Sequence, residues 1–216
     1  MPRYYPICLD VEDLPCLVVG GGAVGLRKAQ TLLEFGARLT VVAPDIDEAL
    51  DAPAAADPDR LRLARRPYET ADLEGIRLVF AATNDEALNQ RITVEARARG
   101  ILINVVDAPA YCDFIVPSIV RRGSLLLAIS TEGACPAYAK RLRRALERQF
   151  GPEYGAYVEL LRRLRQALLA RTRDSARTAR LLERLLDADL LDLVRREGPE
   201  AAEAKGREML EAWLAG

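Results

Sequence analysis

Apolar residues in the first half of this chain come in short blocks set off by polar or glycine-rich breaks. Cys16 to Val19 is one such block, and it stops at Gly20, Gly21 and Gly22. Past these glycines the period changes: Gly25, Ala29, Leu32 and Leu33 recur at helical spacing, Arg27, Lys28 and Glu34 lie off that face, and Gly36 sits where a helix-ending glycine belongs. Leu39 to Ala43 forms a second block, ending at Pro44 and Asp45. Leu61 to Arg65 alternates as a strand does, and Pro67 ends it. Leu78 to Ala82 and Leu102 to Val106 are continuous apolar runs, the pattern of parallel strands buried on both faces. Between these two runs, Glu86 to Arg99 reads as a helix opened by Thr83-Asn84-Asp85 and closed by Gly100. Tyr5 to Leu9 reads as an edge strand or a lead-in, and the Ala-, Asp- and Pro-rich Asp45 to Asp59 as a weak helix and loop.

After Asp107 the pattern is different. Phe114 to Val120 and Leu125 to Ser130 read as two strands of a hairpin, with Pro117 pointing to an edge or a bulge. From Pro136 onward the chain reads as helices: Pro136 to Phe150, Tyr154 to Arg173, Ser175 to Leu186, and two shorter pieces from Asp189 to Ala215. Strands alternating with helices, with a glycine-rich first turn, predict an α/β fold of Rossmann-like, doubly wound type with a parallel sheet. A small α+β segment and a helical carboxy-terminal region follow it.

The first turn carries candidate chemistry. Gly20, Gly22 and Gly25 satisfy G-x-G-x-x-G in the strand–turn–helix context that the dinucleotide fingerprint requires. Gly20 permits the tight turn, Gly22 lets backbone approach a pyrophosphate, and Gly25 lets the helix pack closely on the strand. The amides of Ala23, Val24 and Gly25, at the helix start, then face the phosphates. An acidic residue roughly 20 positions on binds the adenosine ribose in this motif. Asp45, after Pro44 and just past the predicted strand end, is near that place and favours NAD over NADP.

Ligands of an open α/β sheet bind outside the carboxyl ends of its strands. The glycine turn, Pro44-Asp45, Thr83-Asn84 and the segment from Asn104 to Pro109 all fall there. The first three suit a dinucleotide. Asp107 is the carboxylate expected to face what the nicotinamide reacts with, and it is the first candidate for a general base. The competing reading is that Asp107 caps a turn before Ala108-Pro109, where Asp is favoured anyway. A second constellation runs from Ser130 to Pro136. Its hydroxyls and Gly133, followed by a helix opening at Pro136, make either an anion pocket or an ordinary strand-to-helix turn.

Composition narrows the chemistry. The chain has 216 residues and no histidine, which removes the usual general base and the commonest metal ligand. Its four cysteines, Cys8, Cys16, Cys112 and Cys135, show no C-x-x-C spacing, so no metal site is expected. No apolar run approaches the ~20 residues that span a bilayer. The opening MPRYYPICLDVED lacks an apolar core of signal-peptide length, and a cytoplasmic protein is expected. Acids outnumber bases over residues 1–112 and 185–216, while bases dominate 113–184. Lys140, Arg141, Arg143, Arg144, Arg162, Arg163 and Arg165 lie in that basic stretch, either as solvated helix faces or as partners for a polyanion. A nucleic-acid role is not expected, because no recognition motif accompanies the charge and the pI is near 5.8.

Four segments in this order resemble the precorrin-2 dehydrogenases, free-standing versions of the amino-terminal half of sirohaem synthase: LVVGGGAVGLRKAQTLLEFGARLTVVAP, FAATNDEALNQRI, INVVDAP followed by FIVPSIV, and ISTEGACP. The likeness covers roughly residues 4 to 150. It implies NAD-dependent removal of hydride from precorrin-2, with loss of a proton, to give sirohydrochlorin. Some members also insert Fe²⁺ into sirohydrochlorin, so iron is among the substrates implied. The family's essential aspartate maps onto Asp107, and its serine-rich turn onto Ser130 to Pro136, where Thr131 and Cys135 replace serines. The substrate is a polycarboxylate, which gives Asn104, Ser130, Thr131, Gly133, Lys140 and Arg141 an expected role in binding it. An obligate homodimer joined through the segment after residue 113 is also implied. The expected domains are therefore an NAD-binding domain over 1–112, a dimerisation segment over 113–150 and a helical region over 151–216. The alternative from another class is a non-catalytic NAD(H)-sensing module, which would share the glycine motif but leave NVVDAP and the basic helices unexplained.

Overall fold

The apolar blocks become strands because each has apolar side chains to bury on both faces. In the computed structural model, which describes residues 4–215, β1 (Pro15–Gly21) is the middle strand of five. It is flanked by β2 (Arg38–Ile46) and β4 (Leu78–Ala81), with β3 (Leu61–Ala64) and β5 (Leu102–Val105) at the edges. Every pairing is parallel, in the order β3-β2-β1-β4-β5. Alternate residues feed two cores, so helices cover both faces. Cys16, Val18, Leu39, Val41, Leu78 and Phe80 pack with Ala29 and Leu32 of α1 (Ala23–Glu34). Leu17, Val19, Val79, Ala81 and Ile103 pack with Ile92 and Ala96 of α3 (Glu86–Ala98), together with Tyr68 and Leu73. The short α2 (Asp51–Ala56), preceded by a 3₁₀ turn over Glu48–Leu50, is the weak helix expected in that stretch.

The chain divides after Val116 into two compact units. In the second, β6 (Ser118–Arg122) and β7 (Leu125–Ile129) form an antiparallel hairpin. Helices α4 (Pro136–Gln149), α5 (Glu153–Leu169), α6 (Ser175–Leu186), α7 (Leu190–Glu197) and α8 (Pro199–Ala215) follow. Leu160, Leu164 and Leu168 form one stripe of α5 at i, i+4 spacing, and they are buried against Leu181, Leu185, Leu190, Val194, Ala202 and Leu210. Gly206 of α8 lets this pack tightly, since a Cβ there would overlap the side chain of Leu164.

Of the two readings of Tyr5 to Leu9 the structure has the lead-in: no strand forms there, and Tyr5, Ile7 and Leu9 are exposed. Three expectations are corrected. Strand β2 does not stop before Pro44-Asp45 but runs through them to Ile46. Its register against β1 jumps from Val19↔Val42 to Gly21↔Ile46, so Pro44, which has no N–H to give, falls inside the irregularity. The strand expected over Phe114 to Val120 begins only at Ser118. Phe114 instead sets its ring edge-on to Phe80 at 5.5 Å, and Pro117 cannot donate to a ladder. Helix α5 ends at Leu169 rather than Arg173, because Asp174 turns to cap α6 by accepting from the Arg177 amide.

Candidate active site

The turn between β1 and α1 is shaped by side chains that are missing. Gly20 has φ +118°, and a Cβ there would overlap the Ala82 carbonyl. A Cβ on Gly25 would overlap the Gly20 carbonyl, so the first turn of α1 rests directly on the strand end. Gly21, which sequence reasoning assigned no role, is equally constrained: its Cβ would overlap the Asp45 carbonyl. Only the three consecutive glycines hinted at that close approach. Gly22 differs from all of them, for a Cβ there would meet nothing within 4 Å. It is the N-cap of α1, where no side chain caps the amides and no acid occupies the first turn. Exposed Ala23 and half-buried Val24 continue that turn. Open space in front of unspent amides at the positive end of a helix suits a pyrophosphate. The turn formed by Gly20, Gly22, Ala23, Val24 and Gly25 therefore has the shape that fits a dinucleotide.

Two further expected residues gather at this turn. Ala82 and Thr83 lie against Gly20, and Asp45 against Gly21. The Thr83 hydroxyl accepts from the Asp85 amide at 3.2 Å and lies 2.8 Å from Asn89 Oδ1, to which it can donate; Asn89 Nδ2 donates back to the Thr83 carbonyl at 3.0 Å. Asn89 is buried, so Thr83 is fixed by the helix it precedes. Asn84 and Asp45 are exposed, as is Pro44.

The turn after β5 is shaped by a side chain that is present. Asp107 is exposed and has φ +58°, a left-handed conformation that L-residues other than Asn and Asp adopt at a cost. The Val106 amide donates to the Ala81 carbonyl at 2.9 Å and ties this turn to the end of β4. Beyond Asp107 the chain folds back over the open edge of β5. The Asp113 amide donates to the Ile103 carbonyl at 2.9 Å, and the Ile103 amide donates to the Asp113 carboxylate at 3.2 Å. That carboxylate also accepts from Arg97 at 2.9 Å. The Val105 amide donates to Cys112 Sγ at 3.2 Å, and the thiol lies 3.2 Å and 3.4 Å from the Val105 and Ala108 carbonyls. Burial pushes the Cys112 thiol up, so it stays protonated and able to donate. Asn104 is buried beneath, and its amide nitrogen donates to the Phe114 carbonyl at 2.9 Å. Cys112 and Asp113 thus cover an edge strand and hold the Asp107 turn, and no spacing in the sequence announced either.

In the second unit, Ser130, Thr131 and Gly133 form the turn from β7 into α4. Ser130 Oγ accepts from the Glu132 amide at 2.9 Å, Thr131 Oγ1 accepts from the Cys135 amide at 3.1 Å, and Glu132 and Gly133 both have positive φ. Lys140 and Arg141 are exposed on α4. Of the other basic residues, Arg143 pairs with Glu147, while Arg162 and Arg163 pair with Glu159 and Arg163 also with Glu203. Among the described residues no helix is long and apolar enough to cross a membrane, and no group of His, Cys, Asp and Glu side chains could hold a metal ion.

Comparison with known proteins gives two family matches: the putative NAD(P)-binding family over residues 7–118, and the sirohaem biosynthesis protein central family over residues 122–149. The siroheme synthase of Methylococcus capsulatus is 38% identical, over 97% of this chain and 46% of that protein. That of Ectopseudomonas mendocina is 39% identical, over 99% of this chain and 45% of that protein. The chain spans about half the length of the curated relatives it matches. Among solved structures, SirC, a precorrin-2 dehydrogenase, superposes with a TM-score of 0.79 at 28% identity, covering 97% of this chain and 100% of that one.

Proposed function

We propose a reaction for this chain, which belongs to the putative NAD(P)-binding family: the NAD-dependent oxidation of precorrin-2 to sirohydrochlorin in sirohaem biosynthesis. The observation that carries the reading is Asp107, exposed and held at φ +58° at the same carboxyl-terminal edge of the sheet as the glycine turn. SirC, similar over its whole length, is itself a precorrin-2 dehydrogenase, and that supports the choice of substrate.

In this reading the amides of Gly22 to Gly25 hold the pyrophosphate, and Asp45 receives the ribose. NAD, when bound, accepts the hydride. Asp107 takes the proton that leaves the tetrapyrrole as the new double bond forms, so the balance is one NADH and one proton per sirohydrochlorin. Asn104, Ser130, Thr131, Gly133, Lys140 and Arg141 complete the reading as substrate contacts, the last two pairing with carboxylates. Fe²⁺ insertion is a second step of the same reading, with Asp107 accepting pyrrole protons. The reading also takes the protein as a homodimer joined through the segment after residue 113. Leu126, exposed on the hairpin, supports that part, and light scattering at low micromolar protein tests it: a monomer would count against it.

The test of the reaction is anaerobic. Purified protein, enzymatically made precorrin-2 and NAD should yield NADH and the sirohydrochlorin spectrum in step, and adding Fe²⁺ to the same cuvette then tests insertion. If NAD binds but neither product forms, the protein is an NAD(H)-sensing module instead.

A further inference from the structure

Lys28 was expected on the solvated side of α1, off the packing face. It is half-buried instead, with its ammonium over the ring of Phe80, 5.3 Å from the centroid. Phe80 lies on β4, and its neighbour across the ladder is Asn104 of β5. The ring of Phe114 meets Phe80 edge-on, and the Asn104 amide nitrogen donates to the Phe114 carbonyl. The ammonium therefore sits over the β4–β5 side of the sheet, where Asn104, Cys112 and the Asp107 turn are found. The carboxylate of Asp107 attracts it across space, while Arg27 repels it. Among the described residues Lys28 takes part in no ion pair, whereas fourteen such pairs engage twelve other basic residues.

A half-buried ammonium with an aromatic face beneath it and no carboxylate of its own is poised for an anion from outside. We propose that Lys28 is a substrate-binding residue, whose ammonium takes a carboxylate arm of the acidic tetrapyrrole beside Asp107. The inference rests on the dehydrogenase reading for the identity of that ligand. A phosphate of NAD is the competing anion, but the pyrophosphate belongs at Gly22, roughly 9 Å back along the helix axis at 1.5 Å per residue. The ammonium lies over the Phe80 ring of β4. Burial, reinforced by Arg27, lowers the Lys28 pKa below the ordinary lysine value, against the opposing pull of Asp107. Binding through Lys28 should therefore fade at a pH where ordinary lysines are still charged.

Three proteins test this: the full chain, Lys28→Met, which keeps the packing over Phe80, and Lys28→Arg, which keeps the charge. Uroporphyrin, a stable polycarboxylated tetrapyrrole, is titrated by fluorescence, NAD is titrated separately, and precorrin-2 turnover is followed anaerobically. Expected for Lys28→Met are about tenfold weaker uroporphyrin binding and a KM for precorrin-2 raised about tenfold, kcat within about twofold and NAD affinity unchanged, with Lys28→Arg recovering most of the loss. The wild-type KM should rise with alkaline pH, and Lys28→Met should lose that rise. Unchanged uroporphyrin binding in Lys28→Met overturns the proposal, and so does a loss of NAD affinity in its place. If Lys28→Met weakens uroporphyrin binding while the wild type turns over no precorrin-2, Lys28 stands and the dehydrogenase reading falls.

Discussion

The turn after β1 is shaped by what its residues lack, whereas the turn after β5 presents what Asp107 carries. At the first, Gly20, Gly21 and Gly25 let three backbone segments touch, and Gly22 leaves open space before a bare helix start. At the second, a charged residue is held left-handed while Cys112, Asp113 and Arg97 fasten the chain that follows. Binding a dinucleotide asks for backbone amides within reach, so absence of side chains is the useful property. Moving a proton asks for a carboxylate at a fixed point, and the local strain is tolerated because the neighbouring chain over-determines it.

The sharpest way to break this contrast is within the glycine turn. Gly25→Ala forces a methyl against the Gly20 carbonyl and should cost about 3 kcal/mol or more in denaturant melts. Gly22→Ala meets no atom within 4 Å and has φ −77°, so stability should hold while NAD affinity drops on the order of tenfold. Equal stability loss in both variants would show that Gly22 is merely another packing glycine.

The turn after β5 is probed by Cys112→Ala, which leaves the Val105 amide at the sheet edge without its acceptor. A loss of about 1 kcal/mol is expected, with turnover falling as Asp107 loosens. Stability lost with turnover intact would separate the clamp from the chemistry.

An effect confined to alkaline pH lies in the core between the two turns. Burial pushes the Cys16 thiol up to about 11. Its folded pKa stands above its unfolded one, so its contribution is complete below pH 9 and is lost as pH climbs toward 11. Between pH 8 and 11 the wild type should lose stability relative to Cys16→Ala, whose difference from it should narrow; a constant difference would remove Cys16 from the account.

The sequence was most readable where geometry forbids alternatives. Gly20 and Gly25 announced the turn because few other residues tolerate those contacts, and the apolar runs announced buried parallel strands because both their faces need covering. Asp107 could be proposed because its type limited the chemistry in a chain without histidine. Its left-handed backbone could not, since Asp is common in turns for several reasons. Long-range contacts were invisible: Cys112 reaching the Val105 amide, Asp113 pairing with Ile103, and Lys28 lying over Phe80 depend on how the chain returns across the sheet. Phe114 misled for the same reason, since a β-prone stretch was drawn instead into an edge-on contact with Phe80.

The central claim is that dinucleotide binding and proton removal are divided between the two turns, and Asp107→Asn tests it most directly. Asn tolerates the left-handed backbone as well as Asp does, so the fold should survive and any loss belongs to the carboxylate. NAD titration and anaerobic precorrin-2 turnover, measured on the same preparation, should give wild-type NAD affinity with turnover down by roughly 10³-fold. Turnover at the wild-type rate in that variant would contradict the account.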